Sequence, residues 1–423
     1  MVRESAKAHT IHTTSDSDEE TATRLWSLDS LDNKQLAYCR LVSQYQRLQQ
    51  NPSAWQQYTK TIEDHLAVNF IEEVDEHVFD SHRVYYIPHQ AVYKESSSTT
   101  KLRIVFDASS KVRGATSLND CIHQGPTLLP ELVGILLRAR LHRFLLIADV
   151  EKAFHQILLQ HSQRDATRFL WLKNSNSPPS SDNLRIFRFT RIPFGINASP
   201  FMLAASIQYY LRYLNSPLSK EIERNTYVDN VALGAATHKE AIRKYHMVKS
   251  AFGDMHMNLR EFVCNSNIVN SSIPKQNRVI DANHTTLLGI AWNHHEDTLS
   301  MFIKTLNIKV NSKRTALRAL ASTYDPLGLP TPFFVQMKIF IQDLWTKQLA
   351  WDDQLDDIDK QRWLDLIEEI KHPLPAIPRL VIPKSSGSTK VELCVFGDAS
   401  KRLYACCAYL LCRSSTYLFI IIH

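Results

Sequence analysis

Two aspartates hold the residue types that could do chemistry. Asp149 ends the wholly apolar run Phe144-Leu145-Leu146-Ile147-Ala148, and Asp229 follows Thr226-Tyr227-Val228 80 residues later. The first run reads as a short strand buried on both faces that delivers an acid to its C-terminal end. The second, with Val231-Ala232-Leu233 beyond it, reads as two short strands meeting at a tight turn with Asp229 and Asn230 at its tip. Carboxylates held this way suit a hard divalent cation, which prefers oxygen donors. On adjacent strands of one sheet they could share two Mg²⁺ ions, the arrangement that activates a hydroxyl and stabilises a pyrophosphate leaving group. Two unrelated turn aspartates fit the same spacing, because Asp and Asn favour turns in any case. Adjacency of the strands decides between the readings, and carboxylates far apart would favour an interaction protein of another class.

The elements that must position these acids alternate along an α+β chain. Residues 1–22 are polar and acidic and read as a disordered lead-in, and 23–82 form a helical region with patterns over 36–48 and 55–68 broken at Asn51-Pro52. Strands are expected at Val84-Tyr85-Tyr86-Ile87-Pro88 and Leu102 to Asp107, as a hairpin whose tip is 95–100 and whose base carries Lys101 and Arg103. Further strands fall at 168–172, 184–189 and 287–292, and helices at 130–140, 198–214 and around 242–252. Helical segments at 312–348 and 355–370 are interrupted at Asp325-Pro326-Leu327-Gly328, and a Ser/Gly linker, 384–390, precedes a last strand that ends at Asp398.

Composition narrows the function classes. Hydrophobic residues at 44% and charged ones at 22% describe an ordinary globular protein. Only 10 glycines occur, and neither a phosphate-binding loop nor a dinucleotide fingerprint is present. The net charge of +6 is compatible with a polyanionic partner. Seven dispersed cysteines suggest reduced thiols in an intracellular protein and lack zinc-site spacing. The apolar tail 417–422 is too short to span a bilayer, and no targeting segment is evident.

The motifs that remain are Thr100-Lys101-Leu102-Arg103-Ile104-Val105-Phe106-Asp107-Ala108-Ser109, Ala148-Asp149-Val150-Glu151-Lys152-Ala153-Phe154, Ile192-Pro193-Phe194-Gly195-Ile196-Asn197-Ala198-Ser199-Pro200, Tyr227-Val228-Asp229-Asn230 and Leu287-Leu288-Gly289-Ile290-Ala291-Trp292. In this order they resemble a reverse transcriptase. With Tyr324-Asp325-Pro326-Leu327-Gly328 and Trp351-Asp352 they resemble the polymerase region of a BEL/Pao LTR retrotransposon, over about residues 25–409.

The resemblance implies a polymerase right-hand fold. Fingers and a ferredoxin-like palm would occupy 83–300, a helical thumb or connection 301–383, and a truncated ribonuclease H-like start 391–423. It implies RNA-directed DNA synthesis from dNTPs on a primed RNA or DNA template, with two Mg²⁺ ions, for which Mn²⁺ could substitute. Asp149, Asp229 and the Val150 carbonyl would hold the metals, with Asn230 beside them. Arg103 and Lys101 would meet the triphosphate, a forked guanidinium suiting phosphate oxygens. Phe154 would gate against a ribose 2′-hydroxyl, Phe194 and Gly195 would floor the nucleotide site, and Tyr227, Leu288 and Gly289 would contact the primer. Polyprotein neighbours or a second copy are further expected partners. The expected location is intracellular, particle-associated in the cytoplasm or nuclear, away from membranes.

The chain departs from the family in four places. Asn230 stands where relatives carry a second aspartate, which removes a negative charge beside the metals. Glu261 stands where relatives carry a base. A stretch after the entry segment 25–31 is missing, and the pattern is lost after about Tyr409. Asp398 matches the first acid of a ribonuclease H site, but no Asp or Glu follows it. The departures point to a weak or inactive copy without ribonuclease H activity, and a nucleic-acid-binding remnant is the alternative.

Overall fold

A computed structural model describes residues 33–75, 84–93, 102–279, 285–301, 303, 308–370, 374–382, 391–412 and 417–422. The acidic lead-in, the hairpin tip 95–100 with Lys101, and the Ser/Gly linker lie outside them. The chain divides into two compact units, one drawn from residues 1–129, 150–219 and 254–257 and the other from 130–149, 220–253 and 258–423.

In the first unit, helices Asn33–Gln49 and Pro52–Ala67 pack into one core with a three-stranded antiparallel sheet ordered Ile71–Val74, Leu184–Phe189, Arg168–Leu172. The break between the helices is also a start signal. The Asn51 side chain accepts from Ala54 N at 3.1 Å, and Pro52 fills the first turn, where a missing N–H costs nothing. Trp55 stacks on Trp171 at 5.6 Å. Every residue of Arg168–Leu172 is buried, including Arg168, whose guanidinium meets Asp165 at 2.9 Å. Asp165 also takes Arg188 at 2.9 Å, so these three charges are paired with one another.

The hairpin at its edge differs from the sequence reading. His89–Tyr93, rather than 84–88, pairs with Leu102–Phe106, in register Val92 with Arg103. The run before it is buried instead as a single docked segment, with Ile87 N donating to Arg168 O at 2.7 Å. Its apolar content imitates a strand, while Pro88 has no N–H for a ladder.

In the second unit a four-stranded sheet runs in the order Thr226–Tyr227, Asn230–Ala235, Phe144–Val150, Leu259–Cys264. Helix Leu132–Ala139 buries Ile135, Leu136 and Ala139 with Leu145, Ala232 and Val263 of this sheet. Helix His238–Asp254 buries Tyr245, which meets Phe262 edge-on at 4.8 Å.

The segment read as one strand over 287–292 is two. Thr286–Leu287 and Ile290–Asn293 pair across a two-residue turn, Leu288-Gly289, whose φ angles are +47° and +92°. Two positive φ values define the turn that matches strand twist, and a glycine at its second position meets that demand. Thr298–Ser300 and Ile377–Pro378 extend this sheet.

Three helices, Lys313–Ala321, Thr331–Thr346 and Asp357–Glu369, share a separate core around Ala316, Phe334, Met337, Phe340 and Trp363. A last antiparallel sheet comprises Val391–Ala399, Tyr404–Cys412 and Tyr417–Ile422. Among the described residues no helix is long and apolar enough to cross a membrane.

Candidate active site

The strand bearing Asp149 is buried on alternate and consecutive positions alike, because a helix and a second hairpin close its core. Its neighbour is the hairpin strand Asn230–Ala235, antiparallel, with Asp149 directly opposite Asn230. Asp229 is the residue before that pair. Asp149 therefore lies at the end of its strand beside the turn that carries Asp229.

The turn itself is displaced by one residue from the sequence reading. Tyr227 pairs with Asn230, so the loop is Val228-Asp229, and Asn230 already belongs to the ladder. Asp-Asn looks like the natural turn pair, whereas Val228 adopts φ +57°, which β-branched residues rarely do. That strain, of about 1–2 kcal/mol, is what holds Asp229 at the tip rather than in the strand.

Asp229 is half-buried, and burial raises its carboxyl above the usual carboxylate range, against smaller opposing hydrogen bonds from its own backbone and from Asn230. The Asn230 amide donates to Asp229 Oδ1 at 2.8 Å. The donor set is thus two hard carboxylates on adjacent strands, one of them ionised at a cost that a cation would offset. That chemistry fits a divalent metal, while the amide contact engages an oxygen the metal would use. Among the described residues no group of three or more His, Cys, Asp and Glu side chains is arranged to hold a metal.

Tyr227 is half-buried and packs on the same core as Leu288 of the second hairpin. Glu261, on the strand Leu259–Cys264, has φ +53°, and its carboxylate lies 3.8 Å from Arg260 Nε. Asp398 is exposed near the end of the strand Val391–Ala399, in the separate C-terminal sheet.

The other expected residues form a second set, within the first unit. Arg103 is exposed on Leu102–Phe106, next to buried Leu102 and three residues before buried Phe106. At Gly195, φ is +100°, and a Cβ would lie 1.9 Å from the Phe106 carbonyl oxygen. Only glycine lets this loop touch the backbone of the Arg103 strand. Phe154 and Phe194 meet edge-on at 4.8 Å, Phe194 remaining 45% exposed and so able to face a ligand. Phe154 stands on a short 3₁₀ turn, Ala153–Gln156, half-buried, and not inside a helix core.

Two supports of this loop escape motif reading. Asn119 donates to the Gly195 carbonyl at 2.9 Å and accepts two further bonds from Asn197, each 2.9 Å. His155 lies edge-on to Phe194 at 5.3 Å, with Nδ1 3.0 Å from the Ile192 carbonyl. Burial, helped by the neighbouring His65, lowers His155 to about 4, so at neutral pH the ring is uncharged and Nδ1–H is the donor. Asn197 lies within a quoted motif, but nothing in sequence ties Asn119 to it.

Two family models match the chain. Residues 77–262 match the one described as reverse transcriptase (RNA-dependent DNA polymerase). Residues 312–420 match the Pao retrotransposon-like RNaseH-like domain, a match that runs past Tyr409, where the sequence reading loses the pattern. The third strand of the C-terminal sheet, Tyr417–Ile422, accounts for this extension. No curated protein matches the chain. Among solved structures, a foamy viral protease-reverse transcriptase in complex with double-stranded DNA is similar at TM-score 0.55 and 14% identity. The match covers 88% of this chain and 55% of that one, so the chain spans about half the length of that relative. The fold is thereby that of reverse transcriptase polymerases.

Proposed function

We propose that the chain, which matches the reverse transcriptase and Pao retrotransposon-like families over separate segments, performs divalent-cation-dependent nucleotidyl transfer from a dNTP to a primer 3′-hydroxyl, weakened by Asn230. The observation that carries the reading is Asp149 opposite Asn230 on adjacent strands, with Asp229 in the turn between. Mg²⁺, or Mn²⁺ in its place, would be held by Asp149, Asp229 and the Val150 carbonyl, and when bound it supplies hydroxyl activation and neutralises the leaving pyrophosphate.

The chain's own groups do the remaining work. Arg103, with Lys101, clamps the triphosphate through charge-assisted hydrogen bonds. Phe154 sets the width of the sugar site, and Phe194 with Gly195 forms its floor, braced by Asn119 and His155. Tyr227 and the Leu288-Gly289 turn hold the primer end, so that the reacting atoms are brought to within attacking distance. A duplex partner is supported by the DNA bound in the foamy viral relative.

The Asn230 amide on Asp229 Oδ1 favours one further reading, a nucleic-acid-binding remnant without turnover. Incorporation of dNTP on a primed homopolymer template separates them. We expect slow incorporation by the unaltered chain, none by Asp149→Ala, and a rise of about tenfold in Asn230→Asp, the effect of about 1.4 kcal/mol at the transition state. Salt-dependent primer-template binding without incorporation in either form would favour the remnant.

A further inference from the structure

The segment Tyr324-Asp325-Pro326-Leu327-Gly328 is absorbed by none of the roles above, yet it is built with care into the second unit. Asp325 O accepts from Gly328 N at 3.4 Å, Pro326 occupies the second turn position, and Gly328 takes φ +66°. The Asp325 carboxylate accepts from Leu329 N at 3.0 Å and from Thr331 Oγ1 at 3.3 Å, which fastens the turn to the start of helix Thr331–Thr346. Leu327 is fully buried in the core that contains Leu287, Ile290, Trp292, Leu145 and Ala232.

This anchoring leaves one side chain to act. The Tyr324 hydroxyl donates to the Leu288 carbonyl at 2.9 Å. Its ring lies over Gly289, where a Cβ would come within 2.9 Å of Tyr324 Cε1. The turn carries two positive φ angles with only Leu288 and Gly289 to hold them, and Tyr324 is its cross-brace. Burial raises the Tyr324 hydroxyl above the usual phenol range, so at neutral pH it is protonated and can donate. At 45% exposed, Tyr324 is larger and more open than a residue needed only for packing.

We propose that Tyr324 is a positioning residue that fixes the Leu288-Gly289 turn for the primer end. The inference rests on the assignment of Leu288-Gly289 to primer contact. It acts through the turn, not by touching the reacting atoms.

The test is binding of the full chain to a recessed-3′ primer-template and to a blunt duplex of equal length, followed by fluorescence anisotropy. Tyr324→Phe keeps the ring and removes the hydrogen bond, and should weaken primer-template binding about fivefold, the usual worth of one neutral hydrogen bond. Blunt-duplex affinity should stay unchanged, the thermal midpoint should fall by no more than the loss of one hydrogen bond costs, and Tyr324→Ala should weaken primer-template binding further. Primer-template affinity within twofold of the unaltered chain in Tyr324→Phe would overturn the proposal alone. So would an equal loss on both DNAs accompanied by a larger fall in the thermal midpoint, which marks a merely structural role. A chain that binds no primer-template at all would overturn the polymerase reading together with it.

Discussion

At the scale of single residues, Asp229 is costly to keep. Burial raises its pKa in the fold above that of the unfolded chain. For such a group the unfolded state is the more readily ionised, so its contribution to stability is full below the unfolded pKa and is lost as pH rises through the folded one. Asp229→Asn should therefore raise the thermal midpoint of the metal-free chain at pH 7 and leave it unchanged near pH 3, while ending incorporation. Added Mg²⁺ should raise the midpoint of the unaltered chain but not of the variant. Val228 offers a parallel test, since Val228→Gly relieves an αL conformation worth about 1–2 kcal/mol and gives back about 0.5–1 kcal/mol in chain entropy. A net gain of about 0.5 kcal/mol by urea denaturation is expected, with a looser turn and slower incorporation. Both residues were visible in the sequence, but the one-residue placement of the turn was not. Turn rules weigh Asp and Asn above Val, and only the pairing of Tyr227 with Asn230 reverses that preference.

Elements depend on contacts that no local pattern announces. Arg379 is fully buried and donates to both Asp297 oxygens, at 2.6 and 2.7 Å, and to the carbonyls of Ala139 and of His142, the latter at 2.9 Å. It joins the end of helix Leu132–Ala139 to the turn before Thr298–Ser300, and Trp292 Nε1 donates to Asp297 as well, at 3.1 Å. Asp297→Ala strands a buried cation and should cost about 3–5 kcal/mol in denaturant unfolding. Gly195→Ala, pressed against the Phe106 carbonyl at positive φ, should cost about 2–4 kcal/mol by the same measurement. Gly195 was legible from its motif, and the strands at 168–172, 184–189 and 144–149 from their apolar runs. Arg379 was not, because a lone arginine more than 200 residues from its carbonyl partners leaves no periodic trace. The split of 287–292 was missed for a related reason, since a two-residue turn inside an apolar run does not interrupt its hydrophobicity.

Across the whole molecule, acid should weaken the first unit through its buried histidines. His65, His89 and His155 of the first unit are each lowered to about 4, all by burial before any other cause. They are neutral when folded and charge on unfolding below their ordinary pKa, so their stabilisation is present above about 6.5 and is lost as pH falls towards 4. In the second unit the directions are mixed, since burial raises Asp229 and Asp325 but lowers His142 and His294. Hydrogen exchange between pH 7 and 4.5 should show protection falling in Arg168–Leu172 and Leu184–Phe189. The order of motifs made the right-hand fold legible before any coordinates, and the buried histidines were not, because a histidine's sequence neighbours do not reveal its solvation.

The C-terminal sheet has a practical consequence. Along Val391–Ala399, Leu393 is 65% exposed, Val395 59% and Phe396 60%, and Tyr404 on the neighbouring strand is 90% exposed. Leu393, Val395 and Tyr404 share one face and Phe396 lies on the other, and exposed apolar side chains of this kind behave colloidally as an adhesive. Kinetic assays will thus have to separate a concentration-dependent loss of dispersed protein from a true rate, and charged replacements at Leu393 and Val395 should keep the chain in solution without touching either set of site residues.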